Sequence, residues 1–210
     1  MNIKKLELSK LLDCAEDAAG VLSRGGVILF PTDTLYGLGA DALSDEAVGK
    51  IYEIKGRDEN KPIHGIVSDL NMIEIYGELN DKARVIAEKF FPGPLTLILK
   101  KRPEFASGIA NGLATIAFRI PDNQFCIETA RIFGRPFTAT SANKSGQKPG
   151  RALGPILAQL GGAISLVDVA FDAGELPESP PSTVVDASQE EIRVLREGVI
   201  PQEEIFAALN

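Results

Sequence analysis

Apolar and polar positions follow helical and strand periods in turn along the chain, and that alternation predicts an α/β fold. From Leu8 to Leu22 the apolar residues Leu8, Leu11, Leu12, Ala15, Ala18, Ala19 and Leu22 recur at helical spacing, with Gly25-Gly26 as the stop. Val27 to Phe30 is an unbroken apolar run between Gly and Pro, which fits a short strand covered on both faces. Ser44 is placed to cap a helix reaching about Lys55, with Asp45 and Glu46 at its positive end. Ile63 to Val67 reads as a strand, Ser68 as the cap of a short helix, and Asp81 to Phe91 as a helix stopped by Pro92-Gly93-Pro94. Strands are expected at Leu95 to Leu99 and Leu113 to Ile120. A helix through Phe125, Ile127, Ala130 and Phe133 follows, and then Phe137 to Thr140, leading into a turn. The last third predicts a helix near Arg151 to Leu160, strands at Ile164 to Val167, Thr183 to Asp186 and Ile192 to Leu195, and a final helix from Pro201.

Strands interleaved with helices favour a twisted sheet flanked by helices, and connections too short for helical crossovers require some antiparallel pairs. The expected fold is therefore α/β with a mixed parallel and antiparallel sheet. Pro177 to Pro181 (PESPP) resembles a linker, but only about thirty residues follow it, too few for an independent domain. It reads as a surface loop, and residues 1–210 as one domain.

Composition narrows the function classes. Apolar residues make up 44% of the chain and charged residues 24%, unlike a disordered chain. No run approaches the roughly 18 apolar residues of a membrane span, and the start lacks the apolar stretch of a signal peptide, so a cytoplasmic location with no membrane contact is expected. Two cysteines, Cys14 and Cys126, suggest neither a metal cluster nor a disulfide framework. A net charge of −7 argues against binding nucleic acid through the whole surface, so any polyanion site must be a local patch.

Pro31 to Gly39 (PTDTLYGLG) packs threonines, an acid, a tyrosine and two glycines behind a buried strand. It is either a tight turn with Asp33 satisfying backbone amides, or a ligand wall in which glycines permit close approach and hydroxyls supply hydrogen bonds. Lys55-Gly56-Arg57, with Lys61 beyond, puts cations at a helix end, either as partners of the helix dipole or as a holder for a triphosphate. Neither a Walker-type loop nor a Rossmann turn occurs. Thr140 to Gly146 (TSANKSG) offers hydroxyls, an amide and backbone N–H groups after a short strand. Arg119 ends an apolar strand and must meet an acid or a ligand carboxylate. Ser182 enters one late strand and Arg196 leaves another, while His64, the single histidine, has no neighbouring nucleophile and stays unassigned.

In this order the segments PTDTLYGLG, Lys55-Gly56-Arg57, SANKSG, STVVD and the late Arg196 resemble the threonylcarbamoyl-AMP synthase family, the YrdC-like proteins, from about Leu8 to Arg196. The resemblance implies a mixed sheet curved around a basic groove, in a short form without the extra C-terminal domain of longer members. It implies synthesis of L-threonylcarbamoyladenylate and pyrophosphate from L-threonine, bicarbonate and ATP, with Mg²⁺, for tRNA threonylcarbamoyladenosine modification completed by a separate transferase complex. Lys55 and Arg57 then resemble catalytic cations. Arg57, Lys61, Thr115, Ser141, Asn143 and Arg196 resemble ATP contacts, and Thr34, Arg119, Ala139 and Ser182 resemble threonine contacts, with no residue assigned to a metal. One departure stands out: longer relatives often carry His nine residues after the arginine of K-x-R, where this chain has Ile66, with His64 two positions earlier. The alternative expectation is a non-catalytic module for double-stranded RNA, which the acidic charge weighs against. If the chain is the synthase, at most a weak RNA contact is expected.

Overall fold

The structure, a computed structural model, describes residues 1–56 and 62–209. Its strands are β1 (Asn2–Lys5), β2 (Ile28–Pro31), β3 (Tyr36–Gly39), β4 (His64–Ile66), β5 (Gly77–Glu78), β6 (Leu95–Lys101), β7 (Thr115–Arg119), β8 (Phe137–Ser141), β9 (Val169–Asp172), β10 (Thr183–Asp186) and β11 (Arg193–Arg196). Its α-helices are α1 (Leu11–Ser23), α2 (Asp45–Lys55), α3 (Leu70–Tyr76), α4 (Asp81–Phe90), α5 (Gln124–Phe133), α6 (Leu153–Leu160) and α7 (Gln202–Ala207). Among the described residues the strands form one sheet in the order β1-β9-β2-β3-β8-β4-β7-β6-β10-β11, with β5 pairing β6. The β1-β9, β2-β9, β4-β7 and β6-β10 pairs are parallel and the remaining pairs antiparallel, so the sheet is mixed as the short connections require.

Helices cover both faces. On one, α1 lays its small residues Ala15 and Ala18 close to Phe125 and Ala130 of α5, and both pack over Ile28, Phe30, Ile66, Phe137 and Phe171. On the other, Ile51 and Ile54 of α2, Ile86 of α4 and Ile156 of α6 join Leu29, Leu38, Leu97, Leu99 and Phe118 of the sheet. Strand side chains alternate between the faces. Leu97, Leu99 and Phe118 therefore enter the second core, while Thr96, Ile98, Ala117 and Arg119 point to the first face beyond the reach of α1 and α5. That uncovered half of the sheet is where the site lies.

Local chemistry explains where the elements start and stop. Ser44 caps α2 by accepting a hydrogen bond from the Ala47 amide (3.2 Å), and Gly56 ends it in a left-handed conformation that glycine adopts without a Cβ clash. Several expectations are corrected. The strand expected at Ile164 to Val167 is a 3-10 helix, Gly161–Leu166, and the buried strand of this region is β9. The short, mostly apolar segment Ile164-Ser165-Leu166-Val167 does not discriminate between the two, whereas the parallel pairing of β9 with both β1 and β2 does. Leu8 is 94% exposed, outside the buried stripe of α1. Asp69, not Ser68, caps α3, accepting from the Met72 amide (2.9 Å) while Ser68 donates to its carboxylate. β1 escapes a pattern reading because its residues are mostly polar and exposed at the sheet edge. Among the described residues no helix is long and apolar enough to cross a membrane.

Candidate functional site

A cavity of about 620 Å³ opens on the uncovered half of the sheet. Its floor is set by strand alternation: Thr96 and Ile98 of β6, Ala117 and Arg119 of β7, Ala139 and Ser141 of β8, with His64 of β4. The segment PTDTLYGLG forms one wall, and not as a loop throughout. β2 and β3 make a hairpin in which Pro31 pairs with Tyr36. The Thr32 hydroxyl shapes the turn, donating to the Leu35 carbonyl (2.7 Å) and accepting from the Thr34 and Leu35 amides (both 3.1 Å). Gly37 and Gly39 serve the core as well, because a Cβ on either would meet the Phe30 ring, at 3.0 Å and 2.9 Å.

Arg119 reaches the hairpin from the floor. Its guanidinium forms a buried ion pair with Asp33 and donates to the Thr34 hydroxyl (3.0 Å). Asp33 also accepts from the Asp122 amide (3.2 Å), so the carboxylate joins the hairpin to the end of β7. Across the cavity Arg196 grips Ser182, donating from Nη2 to its carbonyl (2.8 Å) and to its hydroxyl (3.2 Å). Burial, and then the positive charge of Arg119, hold the Arg196 guanidinium below its ordinary pKa. Two guanidinium groups thus line one cavity, Arg119 already paired with Asp33 and Arg196 bonded to the neutral groups of Ser182.

The SANKSG segment is held from behind by Lys55. The Lys55 ammonium is buried and donates to the carbonyls of Ser141 and Asn143 (2.9 Å to the latter), while the Lys55 carbonyl accepts from the Ser145 amide (2.9 Å). The Asn143 amide donates to the Lys144 and Gln147 carbonyls (2.9 and 2.6 Å), which fixes the loop's curl. The structure therefore brings Thr34, Arg119, Ala139, Ser141, Ser182 and Arg196 to the cavity walls. Lys55 and Asn143 sit behind the wall, and Thr115 lies on the cavity face of β7 but two residues short of Ala117, the nearest lining position on that strand. Arg57 and Lys61 lie outside the described residues.

Other cavity residues are not legible as site residues from the sequence. Lys148 and Arg151 add cations at the rim, and Pro177, Glu178, Ser179 and Pro181, read as a surface loop, roof it. A Pro-rich stretch signals a turn but not what lies beneath it. The roof is tied at its end: the Val199 amide donates to the Pro181 carbonyl (3.1 Å) and Gly198 lies so close that a Cβ would stand 2.0 Å from that oxygen. Gly198→Ala is expected to displace this corner and lower the thermal midpoint, costing about 2 kcal/mol or more; an unchanged melting curve would contradict the packing.

An open α/β sheet with an arginine-faced cavity on its uncovered half defines a ligand-binding α/β protein. The chain belongs to the Sua5/YciO/YrdC family: residues 20–198 match the family described as Sua5_yciO_yrdC, telomere recombination. A relative from Methanocaldococcus jannaschii is 41% identical over 177 residues, covering 84% of this chain and 82% of its own. The threonylcarbamoyl-AMP synthase of Pyrococcus abyssi is 35% identical over 189 residues, covering 90% of this chain and 55% of its own, so the chain spans little more than half of that relative. The crystal structure of P. abyssi Sua5 complexed with L-threonine superposes with a TM-score of 0.86 at 32% identity, over 99% of this chain and 59% of that one.

Proposed function

We propose that this chain joins L-threonine, bicarbonate and ATP into L-threonylcarbamoyladenylate and pyrophosphate, for the threonylcarbamoyladenosine modification of tRNA that a separate transferase complex completes. The observation that carries this reading is the pair Arg119 and Arg196 facing one hydroxyl-lined cavity, whose volume lies within the roughly 300–1,000 Å³ of small-molecule sites. The kinship with synthases and with a threonine-bound relative supports the same substrates.

In this reading Arg119, held by Asp33, receives the threonine carboxylate, with Thr34, Ala139 and Ser182 around the side chain. Ser141 and Arg196 meet the nucleotide. Lys55 and Asn143 hold the Ser141 loop in place, Thr115 extends the nucleotide side, and Arg57 and Lys61 are proposed for the triphosphate. Bicarbonate takes up a proton and loses water to give CO₂, and the neutral threonine nitrogen attacks the carbon of that CO₂ and loses a proton to solvent. A carbamate oxygen then attacks the α-phosphorus in line, and pyrophosphate departs with the bonding electron pair. No covalent enzyme intermediate is needed, so catalysis rests on positioning and on fixed positive charge near the departing pyrophosphate. A Mg²⁺ ion carried by the triphosphate would neutralise phosphate charge.

Purified protein supplied with ATP and Mg²⁺ is expected to release pyrophosphate only when L-threonine and bicarbonate are both present. Release that ignores either one would rule the reading out.

A further inference from the structure

Tyr36 belongs to the hairpin wall, yet its hydroxyl serves the roof. The phenol is 1% exposed, donates to the Gly174 carbonyl (2.8 Å) and accepts from the Ala173 amide (3.0 Å). It thereby holds two consecutive residues of the turn where the chain leaves β9 and starts over the cavity. That turn is preformed: Gly174 has φ 78°, and its amide donates to the Asp172 carboxylate (2.9 Å). Burial, and then the charge of Asp172, raise the Tyr36 pKa, so the phenol keeps its proton and its donor throughout the neutral range.

A second anchor lies further along. Arg151 exchanges backbone hydrogen bonding with the roof by accepting from the Leu176 amide (2.8 Å), and its guanidinium donates to the Leu176 carbonyl (3.0 Å) and pairs with Glu175 (2.8 Å). Residues 173–181 are therefore a strap fastened at Tyr36, at Arg151 and at the Pro181 corner, with Pro177, Glu178 and Ser179 turned to the cavity. A buried tyrosine would need some hydrogen-bond partner anyway. This one uses both its donor and its acceptor capacity to join a wall of the cavity to its roof.

We infer that Tyr36 is a positioning residue that holds the strap shut over the cavity and so protects the carbamate intermediate from water. The inference rests on the proposed synthase reading. A free carbamate takes a proton at nitrogen from solvent, its N–C bond breaks, and CO₂ leaves. Loosening the strap therefore drains the intermediate before its oxygen reaches the α-phosphorus, a loss that more bicarbonate replaces.

The test is Tyr36→Phe in the full chain, which keeps the ring and removes only the hydroxyl. KM for bicarbonate is expected to rise about tenfold, and at least about five times more than KM for ATP, with faster deuterium exchange across residues 173–181. Equal changes in both KM values, or unchanged exchange, would overturn the inference. Arg151→Met, which releases the second anchor, is expected to give the same bicarbonate-selective effect and covers the case in which Tyr36→Phe fails to fold. If the wild-type protein makes no adenylate, the synthase reading fails separately, while deuterium exchange still decides whether Tyr36 fastens the strap.

Discussion

Arg119→Met is expected to reduce threonine-dependent pyrophosphate release by more than about 1,000-fold and to destabilise the fold by about 3–5 kcal/mol. Both effects come from one guanidinium. Arg119 is 4% exposed and is bound on its cavity side to Asp33 and Thr34 and, more weakly, to the Gly93 carbonyl (3.4 Å). Its removal leaves the Asp33 carboxylate in a site where only the Asp122 amide remains among the contacts described for it. An uncompensated buried charge costs more than the pair itself is worth. Arg119→Met combined with Asp33→Asn is therefore expected to recover part of the stability, read as a urea midpoint, but none of the turnover. Arg119→Met with turnover within about twofold of wild type would remove Arg119 from the site.

Lys55→Met is expected to lower turnover by more than about 100-fold and stability by about 3 kcal/mol, through a different route. Methionine matches the stem of lysine and adds no charge, but it offers no donor to the Ser141 and Asn143 carbonyls. Buried carbonyls that lose a charged donor cost about 1.5–3 kcal/mol each, less whatever the loop regains by shifting. Any shift moves Ser141, which lines the cavity, so the nucleotide side is expected to suffer first. KM for ATP is therefore expected to rise more than KM for threonine, and Lys55→Arg to recover little, because a planar fork does not match the tightly buried ammonium position. Uniform changes in both KM values would sink this positioning role.

The helices and most strands were readable from periodicity because their amphipathic faces are long and their caps local: Ser44 and Gly56 bracket α2 with groups only a few residues away. Pairing was less readable. Nothing near Val169 announces that it lies between β1 and β2, since parallel partners are distant in sequence and supply their hydrogen bonds only after folding. The candidate site divided in the same way. Thr34 and Ser141 stand in dense polar segments, whereas Arg119, Ser182 and Arg196 sit at strand ends and carry a site role only through the family resemblance; all five line one cavity. Lys148, Arg151 and the strap carry no such local signature. Lys55 was legible as a cation, but its engagement with the Ser141 and Asn143 carbonyls was not, because these acceptors lie 86 and 88 residues away.

The amino-acid order alone determined most of the element types, the mixed α/β class, and the short polar segments from which the family resemblance could be drawn, since each depends on residues within a turn or two of one another. The tertiary structure decided which strand face stayed uncovered, that Asp33 neutralises Arg119 while Arg196 turns to Ser182, and that PESPP is a roof. Those outcomes depend on which distant groups burial forces together, and a buried charge or phenol takes its partner from whatever the fold brings within about 3 Å.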